Sequence, residues 1–340
     1  MKKVIALVLA VVICIGAFAG CAPADNGKTI DNLVVGFVPS RDPAEIVTAT
    51  EPLKKMLTDE LTKAGYDVKK VTITVGTNYE VVGEGMGAGT IDVGLIPGGT
   101  YVLYSDGAEV ILTATRDALS KDSDNAKDWN DGKATATTKN QAIGYRSLII
   151  AGPSAKGQEL AKKVNAGEKL TWEDINSAKW SIMSTTSSAG YVYPSIWLQN
   201  NYKKGITDLA NAVTSDSYGT AFARLAAGQV DIVLCYADAR RDNEKKWTTD
   251  FKRTASIWDE TNVIGVTPSI YNDTVSVSKS SKKITPELKK ALQDAFINIS
   301  KTEDGKKVID IYNHKGYVVA KDSDYDTERK AQENLKGLKK

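Results

Sequence analysis

From Leu33 onward, short runs of apolar and β-branched residues alternate with stretches whose apolar positions recur every three or four residues. Residues 33–38, 71–75, 93–96, 110–115, 148–151, 181–184, 230–236 and 274–277 have the length and composition of strands. Ile284, Leu288, Ala291, Leu292, Ala295, Phe296 and Ile299 keep a helical period. Leu53, Met56, Leu57 and Leu61 do the same before Ala64-Gly65, where glycine can take the left-handed position that ends a helix. Strands alternating with helices predict an α/β fold with largely parallel sheets. Residues 117–140 break the pattern: they are dense in Asp, Lys, Asn and Thr, and read as a long solvated excursion.

The pattern repeats itself once. Ala88-Gly89-Thr90-Ile91-Asp92-Val93 and Ala227-Gly228-Gln229-Val230-Asp231-Ile232 share one form, in which a helix ends at glycine and a buried strand follows. Tyr79 and Tyr218 each stand ten residues before that glycine, and each follows cap-forming residues, Thr77-Asn78 and Asp216-Ser217. Two similar α/β lobes, with the tyrosines at facing helix starts, account for the echo. Ligands of open α/β sheets bind at the carboxyl ends of strands, so a cleft between Tyr79 and Tyr218 is the expected site.

The first residues do not belong to this fold. Lys2-Lys3 and the apolar run at 4–19 form a secretory leader, and Phe18-Ala19-Gly20-Cys21 resembles a lipobox whose cysteine is acylated. The alternative is a retained anchor, since no charge falls between Val4 and Ala24 and about 20 residues span a bilayer. Both put the body of the protein outside the cytoplasm, lipid-anchored at the cell membrane in the first case. Cys235 is then left without a partner in an apolar run, as a buried inert thiol. Without Lys2 and Lys3 the chain carries 42 basic and 42 acidic residues, which gives no electrostatic case for nucleic acid. His314 is the only histidine, and this removes most catalytic triads and zinc sites; no metal or cofactor is expected.

The remaining polar signal is concentrated. Ser184-Thr185-Thr186-Ser187-Ser188-Ala189-Gly190-Tyr191 follows the apolar residues 180–183, and Pro194 restricts the next helix to a start near 189–191. Hydroxyls and unpaired backbone N–H groups therefore gather at a helix N-terminus, an arrangement suited to a tetrahedral oxyanion. A plain capped loop would need one hydroxyl.

At these residues, 187–194 resemble the S-[ST]-[SA]-G-[YF]-x-x-P signature of the phosphonate-binding solute-binding proteins of ABC transporters. Residues 77–93 look like the family's first-lobe helix and strand, Asn272-Asp273 looks like its return crossover, and the likeness runs from about 33 to 329. It implies a two-lobed type-II periplasmic-binding-protein fold: two mixed or parallel sheets flanked by helices, two crossovers and a central cleft. The implied division is a leader at 1–20, a lipidated tether at 21–30, one lobe from 31–144 with 268–340, and the other from 145–267. Ser187 and Ser188 would hold the phosphonate oxygens by hydroxyl and backbone N–H; the family often has a third hydroxyl where this chain has Ala189, so one contact is either missing or moved to Thr186. Tyr218 stands where relatives often have histidine. Tyr79 and Tyr145 look like the family's first-lobe and crossover aromatics, and Tyr101 joins the candidate set. Asp238 and Asp273 look like acidic residues that receive a ligand amine, though loop aspartates also cap helices or pair with arginines such as Arg240 and Arg241. Arg41, Asp42 and Glu45 follow the first strand, where a loop touches ligand or a helix is capped.

The function implied is capture of a phosphonate or related phosphorus oxyanion (phosphate, phosphite) by hinge closure and its delivery to a membrane permease. An exported phosphoester-processing enzyme is the alternative, though it would have carboxylates alone for its chemistry. A sulfonate ligand also stays open, because the motif reads the tetrahedral head.

Overall fold

The structure, a computed structural model, describes residues 28–337. The expected leader, the lipobox cysteine Cys21 and the tether as far as residue 27 lie outside the described residues. Among those described, no helix is long and apolar enough to cross a membrane.

Two sheets organise the chain. The seven-stranded sheet runs Gly316–Val319, Ala108–Leu119, Thr274–Ser278, Val93–Ile96, Leu33–Phe37, Val71–Val75, with Thr137–Ala142 paired to the outer half of Ala108–Leu119. The five-stranded sheet runs Ala212–Thr214, Trp180–Ile182, Ile232–Tyr236, Gly144–Ala151, Asn262–Tyr271. Each sheet is parallel where strands alternate with helices. Each is antiparallel around the long strands near the passages between sheets, Ala108–Leu119, Gly144–Ala151 and Asn262–Tyr271. The sheets are therefore mixed rather than largely parallel.

The sequence echo has a structural basis that includes its aspartates. Asn78 caps the helix Tyr79–Gly87 and Ser217 caps the helix Tyr218–Ala226. Gly89 and Gly228 then take φ of 73° and 68°, a left-handed geometry that disfavours a side chain. Asp92 accepts the Val34 N–H and the Ser281 hydroxyl. Asp231 does the equivalent work with the Lys179 N–H and the Ser154 hydroxyl. Each carboxylate thus ties the turn to the start of a neighbouring strand.

Residues 117–140 form the expected excursion and are mostly exposed, but the segment is ordered as an arm. The strand Ala108–Leu119 continues as an arm, turns through Ala126–Trp129 and returns as Thr137–Ala142. Trp129 is 1% exposed, and Asn130 bonds reciprocally with the Val263 backbone of the five-stranded sheet. Most of the arm's polar residues stay exposed, while Asn130, Asp122 and Thr135 reach across to Val263, Arg146 and Asp238.

Candidate functional site

Three helix starts and the loops between sheets converge on one cavity of about 40 Å³. Six of the expected residues line it: Tyr79, Tyr145, Ser187, Ser188, Tyr218 and Asp273. On a scale where one water needs roughly 10–15 Å³, the space has room for a few waters or one small ligand.

The serine motif makes its helix start in two stages. Ser187 caps a single wide turn, Ser188–Val192, its hydroxyl accepting the Gly190 N–H at 3.1 Å, and the α-helix Tyr193–Tyr202 follows with Pro194 in its first turn. Ser187 Oγ also lies 3.2 Å from the Tyr218 hydroxyl. Ser188 and Ala189 open the turn, where N–H groups have no preceding helical carbonyl to bond.

The Ser188 side chain is engaged within the protein. Its hydroxyl accepts the Gly99 N–H at 2.8 Å and donates to Glu328 Oε1 at 2.9 Å, so its side chain joins the two sides. Glu328 is 1% exposed on the C-terminal helix Asp326–Gly337. Burial raises its carboxyl to about 7, against the lowering effect of Ser188 and Tyr193.

Three expected ligand residues lie elsewhere. Thr186 is buried and its hydroxyl accepts from Thr100 at 3.0 Å, a contact between the two sides. Tyr101 turns its hydroxyl to Asp322 at 2.6 Å. Asp238 is held in place by Arg240 through Nε at 3.0 Å and Nη2 at 2.7 Å, caps the helix Ala239–Thr249, and accepts the Thr135 hydroxyl from the arm at 2.9 Å. With both side chains sealed at 1% exposure or less, Asp238 is a structural ion pair and does not line the cavity.

The sequence reading overlooked the cationic part of the site. Arg116 lines the cavity, stacks over Tyr145 at 4.6 Å, and donates from Nη2 to Asp273 at 2.7 Å. Its Nε is buried and has no partner. Burial opposes the charge on Arg116, but Asp273 outweighs that and raises its pKa. Burial likewise pushes Asp273 up, yet the Arg116 charge and the His314 hydrogen bond hold it at about 2. His314, read from sequence as a helix-end residue, is 1% exposed; Nε2 lies 3.2 Å from Asp273 and Nδ1 3.3 Å from the Tyr317 hydroxyl. Burial lowers its pKa in spite of Asp273. Arg41, entertained from sequence as a ligand-touching loop residue, also lines the cavity and pairs with Asp242 at 2.8 Å, while Asp42 caps the helix Pro43–Thr50. Tyr236 and Tyr312 complete the aromatic wall. Burial raises the phenols of Tyr79, Tyr145, Tyr218, Tyr236 and Tyr312, so they stay neutral hydrogen-bonding groups.

Around the rim the two sides bond directly. Tyr218 N–H donates to Ser40 O at 3.3 Å, Thr185 donates to Glu80 at 2.9 Å, and Lys246 meets Glu45 at 2.5 Å. No cluster of three or more metal-ligating side chains occurs among the described residues.

Comparison with known proteins gives this geometry a context. The family described as "ABC transporter, phosphonate, periplasmic substrate-binding protein" matches residues 35–325. No curated protein matches the sequence. Among solved structures, a binding-protein component of an ABC phosphonate transporter from Pseudomonas aeruginosa has a TM-score of 0.68 at 16% identity, over 91% of this chain and 88% of that one. PhnD1 from Prochlorococcus marinus, in complex with methylphosphonate, has a TM-score of 0.65 at 18% identity, over 92% and 99%. A Xanthomonas citri protein bound to ATP has a TM-score of 0.62 at 10% identity, over 91% and 98%. At these identities the likeness is one of fold, and the fold is that of type-II periplasmic binding proteins.

Proposed function

The chain belongs to the phosphonate periplasmic substrate-binding family of ABC transporters, and from that premise we propose how and where it holds its ligand. A small phosphorus oxyanion occupies the cavity between the two sheets, held by the Ser188 and Ala189 N–H groups, the Ser187 and Tyr218 hydroxyls, and Arg116. Tyr79 and Tyr145 close it from the other side and the hinge. The observation that carries this reading is the meeting, in one cavity, of a serine-capped helix turn and a buried guanidinium with an unpartnered N–H. Bound ligand would stabilise the arrangement in which both sides touch it, the differential contact that lobe closure requires. We place 31–144 with 268–340 in one lobe and 145–267 in the other. Delivery to a membrane permease and acylation of Cys21 complete the proposal.

Calorimetric titration against phosphate, phosphite, methylphosphonate and a sulfonate tests the ligand class. Ser187→Ala is expected to weaken binding of the best of these about tenfold or more, since a hydrogen bond to a charged group contributes about 1.5–3 kcal/mol. Unchanged affinity for all four would remove Ser187 from the site. For the anchor, Cys21→Ala should abolish incorporation of labelled fatty acid into the protein; unchanged labelling would contradict acylation at Cys21.

A further inference from the structure

We infer that the ligand is a phosphorus oxyanion without an amine, and that Arg116 is the residue that selects it. This rests on the reading that the cavity binds a phosphorus oxyanion. An aminoalkyl ligand would need a carboxylate whose charge is free to meet its ammonium group, and each carboxylate at this cavity is already paired with an arginine. Asp273 Oδ2 accepts both Arg116 Nη2 and His314 Nε2. Asp242, just beyond the wall, takes Arg41 at 2.8 Å, the Tyr236 hydroxyl at 2.5 Å and the Asn313 amide at 2.8 Å on one oxygen. An ammonium group approaching either carboxylate would meet a guanidinium already in place, in a buried setting where like charges interact strongly. Asp238, the other acidic candidate from sequence, is sealed against Arg240 away from the cavity.

Arg116 has the opposite preference. Its guanidinium is held by Asp273 on one edge and by the Tyr145 ring on its face, and His314 braces Asp273 from behind. The Nε–H is left buried with no acceptor in the chain. A fixed, charged donor of this kind favours an oxyanion, and guanidinium geometry suits paired oxygens. One part of the wall fits a short apolar substituent: Val38, Leu95, Ile96, Pro97 and Ala189 offer no charge to a distal group.

Titration of the intact protein with methylphosphonate, phosphite and 2-aminoethylphosphonate tests this. Methylphosphonate or phosphite should bind at least tenfold more tightly than 2-aminoethylphosphonate. Arg116→Lys, which keeps the charge beside Asp273 but removes the Nε–H, should weaken methylphosphonate binding at least tenfold without loss of a cooperative thermal transition. Equal or tighter binding of 2-aminoethylphosphonate overturns the inference while leaving the phosphorus-oxyanion reading intact. So does unchanged methylphosphonate affinity in a folded Arg116→Lys protein. Absence of binding by all three overturns both. The wild-type comparison decides the selectivity even where the variant does not fold.

Discussion

Arg240→Met is expected to destabilise the protein by about 3–5 kcal/mol while leaving methylphosphonate affinity within twofold of wild type. The guanidinium is the close partner of Asp238 in a pocket where neither side chain is more than 1% exposed. Removing it strands a buried carboxylate, whose cost greatly exceeds the net worth of the intact pair. The damage should spread to the arm, because Arg240 Nη2 also reaches the Trp129 carbonyl and Asp238 holds Thr135. Urea denaturation gives the stability and calorimetry the affinity. Asp238→Asn is the milder companion, since it keeps an acceptor for Thr135 and the cap. A tenfold affinity change in a folded Asp238→Asn protein would return Asp238 to the binding site.

The second large effect concerns Glu328. Its carboxyl stands at about 7 in the folded protein against an ordinary 4.5. The folded chain therefore keeps a proton that the unfolded chain loses, and this contribution to stability is complete below about pH 4.5. It declines as the pH rises through the window to about 7, and above that the loss levels off. The shift corresponds to about 3 kcal/mol over the whole window. Glu328→Gln is neutral throughout and its amide oxygen can still accept from Ser188. Its melting temperature should exceed that of wild type at pH 8 and converge with it near pH 4.5. Parallel melting profiles for the two proteins across this range would show that the buried carboxyl carries no such proton.

The strands were readable where they are short, apolar and bounded by turns: all eight expected runs coincide with or overlap strands. Asn262–Tyr271 escaped, because its Gly265, Thr267, Pro268 and Ser269 blur the period and its pairing carries register shifts. Gly316–Val319 escaped because its outer residues, Val318 and Val319, are exposed at a sheet edge. In the site, the serine motif and the paired tyrosines were legible because helix capping leaves a local signature. Arg116 was not, since it sits in the strand Ala108–Leu119, and its partner Asp273, with the His314 that braces Asp273, is more than 150 residues away in sequence. No local pattern announces an ion pair assembled by topology. Asp238 illustrates the converse: an aspartate beside Arg240 was visible, but only the packing of Trp129 and Thr135 over the pair removes it from solvent and ligand.

The direct bonds between the two sides set a background against which a ligand must register. Gly99 with Ser188, Thr100 with Thr186, Thr185 with Glu80 and Arg41 with Asp242 join the two sides without any molecule between them. Each 1.4 kcal/mol of such contact raises the ratio of joined to separated lobes tenfold, whether the cavity is filled or not. Apparent affinity gains in proportion, because a ligand loses less to the work of selecting a rare conformation. The contrast between loaded and unloaded molecules shrinks by the same free energy. A receptor built this way gains sensitivity to scarce solute at the expense of signal over noise, and loosening Gly99–Ser188 should move it along that exchange in the other direction.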